Sequence, residues 1–264
     1  MLMNKIIFNT VIIEVPRRCN MRCPHCLRGD AQNIDIDLEI LDKFLSNFKD
    51  GFIREMLFTG GEPSLNPEAI KFTLDTIKKY NITVQYFTMI TNGKNFSNEI
   101  VSIVNSAGNF GVLLSLDSFH DKLTDEDYKQ LSRVKNIMSK EYNSGESENP
   151  EHSIRRIGRA KENNIGRITD VEDDLIFSSY HNNYILVSHL VCTCLGDVLK
   201  NCNYSFYDDD ILSALVLCDY DDDIQGILQE EAKNSYIHSL EGIVEKGSLM
   251  YKFFNFLRLS GVRI

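Results

Sequence analysis

The chain lacks any apolar run that approaches the length of a membrane span. It is also short of positive charge: 28 lysines and arginines face 38 aspartates and glutamates, for a formal net charge of −10. That deficit argues against a broad surface tracking nucleic-acid phosphates, although not against a local basic pocket such as Arg155-Arg156-Ile157-Gly158-Arg159. The opening residues, Met1 to Thr10, are too short for a secretory signal, so the expected compartment is the cytoplasm. No repeat of solenoid type is present, and the histidines at 120, 152, 181, 189 and 238 are scattered, with no pair at helical ligand spacing. An even set of cysteines is missing too. The seven present, three of them clustered, suit metal or redox chemistry in a reducing compartment better than a disulfide framework.

What is present reads as an ordinary globular chain of 264 residues, 43% hydrophobic and 25% charged, with a sizeable core. Strand and helix signals alternate from the start to about position 135, the sign of a parallel sheet with crossover helices. The strand cores are Val11–Val15, Met56–Phe58, Thr83–Ile90 and Val112–Asp117. Helices follow caps at Asp37, Asn66 (with Pro67 at the first helical position), Ser97 and Thr124, the last carrying Leu131, Val134 and Met138. Right-handed crossovers wind such units in one sense, so the expected fold is α/β, a partial (β/α)6 TIM-like barrel with a short C-terminal extension. The expected division is 1–220 for the barrel and 221–264 for a helical extension packing on it. Residues 141–152, poor in apolar side chains and rich in turn formers, read as a mobile loop, and the aromatic stripe of 251–257 reads as packing.

The chemistry concentrates in Cys19-Asn20-Met21-Arg22-Cys23-Pro24-His25-Cys26, directly after the first strand. Three thiolates on one short loop can take three corners of a cubane iron-sulfur cluster and leave the fourth iron open. A structural zinc site completed by His25 or a later cysteine is the competing reading, and the three-residue gap before Cys23 fits it less well.

The Cys-x3-Cys-x2-Cys spacing resembles the signature of the radical S-adenosylmethionine (radical SAM) enzymes. That resemblance implies a [4Fe-4S] cluster on Cys19, Cys23 and Cys26, with S-adenosyl-L-methionine chelated to the open iron and cleaved to a 5′-deoxyadenosyl radical that abstracts a substrate hydrogen. Gly60-Gly61-Glu62-Pro63, at the end of the second strand, resembles the family's motif for the cofactor amino group: the glycines permit close backbone approach, and Glu62 can accept from an amine. By the same resemblance Thr91, Asn92, Ser115 and Asp117 contact ribose hydroxyls or the methionine carboxylate, and His25 packs beside the adenine. Arg159, in Gly158-Arg159-Ala160, resembles an arginine of peptide-modifying members and is expected at a carboxylate of cofactor or substrate, against an exposed helix arginine as the plain alternative.

Cys192, Cys194, Cys202 and Cys218 resemble an auxiliary-cluster hairpin only loosely and read better as buried free thiols, so they stay outside the metal site. The substrate implied is a peptide or protein, with a flavodoxin or ferredoxin as electron donor. An activating enzyme for a glycyl radical partner, a small-metabolite enzyme, and a zinc-stabilised binding module without catalysis are the alternatives.

Overall fold

The computed structural model describes residues 5–141, 154–168, 175–180, 184–234 and 237–239. The sequence-based expectations for 142–152 and for the aromatic stripe of 251–257 fall outside the described residues. One sheet dominates. Strands β1 (Lys5–Glu14), β2 (Phe52–Thr59), β3 (Thr83–Thr91), β4 (Phe110–Leu116) and β5 (Ile137–Glu141) pair in sequence order, all parallel. On the other flank of β1 lies β7 (Tyr184–Cys192), also parallel to it. Strand β6 (Phe177–Tyr180) is antiparallel to β7, and β10 (Ile237–Ser239) lies at the far edge beside β6. A small antiparallel extension, β8 (Asp197–Leu199) and β9 (Val216–Asp219), hangs from the end of β7. The parallel run β7-β1-β2-β3-β4-β5 is the expected partial barrel, and its sheet is not closed.

Local chemistry starts the helices where the sequence places their caps. The Asp37 carboxylate accepts from the Glu39 amide at 2.8 Å to open α1 (Leu38–Ser46), and Asn66 accepts from Ala69 at 3.2 Å to open α2 (Pro67–Lys79). Ser97 caps α3 (Asn98–Ser106), and Thr124 with Asp127 forms a reciprocal capping box on α4 (Asp125–Leu131). Their apolar faces bury Leu41, Phe44, Ile70, Leu74, Ile100 and Val104 on the outside of the sheet. Inside that layer the rings of Phe58 and Phe110 stack with centroids 5.7 Å apart, and Phe87 lies against both.

The helix expected to run on to Met138 stops at Leu131, and Met138 sits in β5, about half exposed. Leu131 and Val134 are buried as anticipated, but the chain turns at Ser132 and pairs Ile137 with Val112 on the open edge of β4. Ladder pairing along a free edge outweighs an apolar spacing that fits both structures. Past α5 (Arg159–Glu162) and α6 (Asp209–Leu215), helix α7 (Ile224–Asn234) buries Ile224, Leu228 and Ala232 in the main core, and β10 stands where the sequence reads as continuing helix.

At the carboxyl end of β1 a charge is fully buried. Glu14 takes Arg17 Nε at 2.8 Å, the Tyr204 hydroxyl, and the Cys194 amide at 3.2 Å. Burial would raise its pKa, yet the Arg17 and Arg28 guanidinium groups and the bonds from Arg17 and Tyr204 hold it below the usual carboxylate range. Arg28 lies 3.8 Å from the centroid of the Tyr204 ring and donates to the carbonyls of Cys202 and Tyr204 at 2.8 and 2.7 Å. Glu14→Ala strands these cations without a counter-charge and is expected to lower stability by about 3–5 kcal/mol in urea unfolding. Lys129→Ala, which removes one exposed partner of Glu126, should stay within about 0.5 kcal/mol.

Candidate functional site

The strands deliver their carboxyl ends to one mouth, where parallel-sheet sites are built. Pro16 ends β1, and the chain runs out into the cysteine loop, which returns through an antiparallel bridge between Pro16 and Asp35. Arg18 clamps that return: Nε and Nη2 each meet an oxygen of Asp35 at 2.8 Å, and Nη2 also reaches the Leu65 carbonyl at 3.0 Å. Cys19, Cys23 and Cys26 are free and half-buried on this loop.

The tail of β2 lies directly against the loop. The Gly61 amide donates to Pro16 O at 2.7 Å and the Glu62 amide to Arg18 O at 2.8 Å. A Cβ at Gly60, where φ is +138°, would stand 2.2 Å from Pro16 O, and one at Gly61 would stand 2.2 Å from Arg18 O. Both glycines are therefore required by the cysteine loop's own backbone, a closer constraint than any the motif implied.

Glu62 is 1% exposed, and its carboxylate is already well engaged. Oε1 accepts from Thr91 Oγ1 at 2.6 Å and from the Ser64 amide at 3.0 Å, and Oε2 accepts from the Asn92 amide at 2.8 Å. Burial pushes its pKa up, against the pull of these bonds. A carboxylate offers about four acceptor positions, which leaves Oε2 room for one more donor. Pro63 opens a single 3-10 turn, Pro63–Leu65, that sets the Ser64 amide under Glu62.

Asn92 reaches the other way. Its Oδ1 accepts from the Lys94 amide at 2.9 Å, and its Nδ2 lies 2.9 Å from Asn20 Oδ1 and 3.9 Å from Cys19 Sγ. After β4, Asp117 Oδ1 accepts from the Phe119 amide at 2.8 Å and contacts His120 Nδ1 at 2.8 Å, while Oδ2 lies 3.5 Å from His25 Nε2. Burial opposes both ionised forms of the Asp117–His120 pair, yet their mutual hydrogen bond carries Asp117 down to about 2 and His120 up to about 10, with the Cys23 thiol adding to the rise of His120. The His25 ring packs between Phe119 and His120, with centroids 4.9 and 5.0 Å away.

These groups share a cavity of about 490 Å³, within the roughly 300–1,000 Å³ of small-molecule sites. Cys19, Cys23 and Cys26 line one wall, and Gly60, Gly61, Glu62, Thr91 and Asn92 line the next. Ser115, Asp117 and His25 close the third side, and Ile12, Leu57 and Ile90 add apolar surface. Pro63 and Arg159 are not among the lining residues. Arg159, expected at a cofactor or substrate carboxylate or else exposed, is buried behind the loop. Its Nη1 meets Asp30 at 3.1 Å, and its amide donates to Cys26 O at 3.0 Å. Sequence reasoning missed Phe119, His120 and Asn203, which line the cavity together with Leu27, Arg28, Thr59 and Ile154; Arg155, from the basic run noted in the sequence, lines it as well. An aspartate three residues before a histidine at a strand end was the available signal for His120. Cys192, Cys194 and Cys218 are buried free thiols, as read, and burial raises the pKa of each, that of Cys218 to about 12; Cys202, read with them, is a free thiol but only partly buried, because it lines the cavity.

The donor set discriminates between metals. Among the described residues, His25, Asp117 and His120 bring their ligating atoms within 4.8 Å of one another, and the three thiols do not form such a group. Two thiolates on one zinc ion at about 2.3 Å each lie no more than about 4.6 Å apart, so the open triad suits a larger, multi-iron body. The Cys19 thiol is raised to about 11, chiefly by burial, with the Glu62 carboxylate and the neighbouring thiols adding to the rise. A cationic metal supplies the compensation that a thiolate needs there.

A family model described as the Radical SAM superfamily matches residues 13–172. Among curated proteins, the GTP 3′,8-cyclase of Chlorobaculum tepidum is 32% identical over 131 residues, covering 47% of this chain and 39% of that protein. The putative peptide biosynthesis protein YydG of Bacillus subtilis is 28% identical over 137 residues, covering 49% of this chain and 40% of that protein. The chain thus spans about two fifths of the length of these relatives. Similar solved structures include anSMEcpe with bound AdoMet, with a TM-score of 0.55 at 14% identity over 84% of this chain and 80% of that one. BtrN in complex with AdoMet and 2-DOIA gives a TM-score of 0.51 at 15% identity over 95% and 86% of the two chains. At such identities the likeness is one of fold.

Replacing Gly61 by Ala forces a Cβ onto the Arg18 carbonyl and should loosen the cysteine loop. The expected outcome is faster labelling of Cys19, Cys23 and Cys26 by a thiol reagent in the metal-free protein. Gly108→Ala, whose Cβ meets nothing within 4 Å, should leave the labelling rates unchanged.

Proposed function

The chain belongs to the radical SAM superfamily, and from that premise we propose that Cys19, Cys23 and Cys26 hold a [4Fe-4S] cluster beside a cavity that takes S-adenosylmethionine. The observation that carries this reading is the shared cavity, in which three spread thiols face a buried, partly unfilled carboxylate. When bound, cluster and cofactor together supply a 5′-deoxyadenosyl radical for hydrogen abstraction from a substrate.

The chain's own residues bind, orient and shield. Gly60 and Gly61 let β2 lie flat on the cysteine loop, which fixes Glu62 next to it, and the free acceptor position of Glu62 receives the cofactor amine. Pro63, Thr91 and Asn92 hold that carboxylate still. Ser115, on the same side of β4 as Asp117, offers its hydroxyl to the ribose. The His25 ring, tilted by 36° against Phe119, provides a flat surface for the adenine. Ile12, Leu57 and Ile90 keep water from the reacting atoms.

The substrate in this proposal is a peptide or protein, and an external one-electron donor such as a flavodoxin or ferredoxin reduces the cluster. Support for a peptide comes from the likeness to YydG, named for peptide biosynthesis. The likeness to GTP 3′,8-cyclase favours a nucleotide as the second reading.

Anaerobically reconstituted protein should carry about four irons and cleave S-adenosylmethionine when reduced, and the Cys19→Ala, Cys23→Ala, Cys26→Ala triple variant should lose both properties. A colourless zinc protein, or cleavage surviving in the triple variant, would remove the cluster assignment. For the substrate, release of 5′-deoxyadenosine should rise at least tenfold with the cognate peptide and stay at its basal level with GTP. Stimulation by GTP instead would replace the peptide reading with the nucleotide one.

A further inference from the structure

The side chain of Asn92 has an orientation that its neighbours settle. Its Oδ1 accepts from the Lys94 amide at 2.9 Å, so the other arm of the amide is the nitrogen. One N–H of that nitrogen goes to Asn20 Oδ1 at 2.9 Å, and the second is left for Cys19 Sγ, 3.9 Å away. Meanwhile the backbone amide of the same residue donates to Glu62 Oε2 at 2.8 Å. Asn92 is therefore held on three sides, and its remaining donor points at a thiol. The family resemblance assigns the side chain to the cofactor, yet both of its polar atoms are engaged with the cysteine loop and its own turn.

Resting on the cluster reading above, we infer that Asn92 is a positioning residue whose side-chain N–H donates to the Cys19 thiolate and thereby sets how readily the cluster accepts its electron. Reduction adds negative charge to the iron-sulfur core and its ligand sulfurs. A donor aimed at one of those sulfurs stabilises the reduced form more than the oxidised form and moves the midpoint potential upward. No proton changes place in this account. The donor is an amide that stays neutral at every working pH.

The test is a redox titration of the reconstituted holoprotein, without S-adenosylmethionine, followed by electron paramagnetic resonance. Asn92→Asp keeps the shape and the acceptor for Lys94 but turns the donor into an anion, whereas Asn92→Ser shortens the side chain out of reach of Cys19. Both variants retain the backbone amide that serves Glu62. With about four irons bound in each protein, the expected result is a midpoint more negative than wild type in both, and further displaced in the Asp variant. Unchanged midpoints in variants that carry the full cluster would overturn the inference and leave the proposed function standing. A wild-type protein that takes up no iron-sulfur cluster would overturn both. If one variant fails to assemble the cluster, the midpoint of the other decides.

Discussion

A carboxylate cut off from water must be met by protein donors, and at Glu14 that requirement organises the carboxyl end of the sheet. The residue closes β1, and its partners come from three separate stretches: Arg17 at the start of the cysteine loop, Cys194 just past β7, and Tyr204 in the segment beyond β8. Arg28, at the far end of the loop, returns to that same segment through Cys202 and Tyr204. Both ends of the cysteine loop are thus tied to one buried network. The thiols between them stay half-exposed, while the frame that carries them is among the most buried parts of the molecule. Burying an ion pair seldom adds net stability, and the well-attested use of such a pair is to specify one arrangement out of several.

The sequence disclosed the parts of this site whose chemistry is local. Helix caps at Asp37, Asn66, Ser97 and Thr124, the parallel strands, the cysteine spacing and the motif after β2 all announce themselves within a few residues. What escaped was long-range. The fate of Arg159 depends on Asp30, which approaches only once the chain has folded back, so a short helix carrying Gly158-Arg159-Ala160 gives no hint that its arginine is buried. The turn after Leu131 was equally hidden, because an apolar spacing of this kind serves a helix and an edge strand alike, and the free edge of β4 decided between them.

The two glycines before Glu62 show how a motif can be right for a reason other than the one it suggests. They are demanded by contact between two parts of the same chain, the tail of β2 and the carbonyls of Pro16 and Arg18. What remains of the motif is a single carboxylate, and that group spends most of its acceptor capacity on its own turn, at Ser64, and on Thr91 and Asn92 at the end of β3. In the proposed function, binding and scaffolding would fall to the same few atoms, so a change in one would be felt directly by the other.

The open sheet has a consequence for what can reach the mouth. Among the described residues, β5 and β10 end the strand order on opposite sides and do not pair, so the sheet is an open arc with two edges. A closed ring admits only what can be lowered through its opening, or a long molecule fed in by one end. An open arc, in general, also admits an extended molecule laid across it from the side.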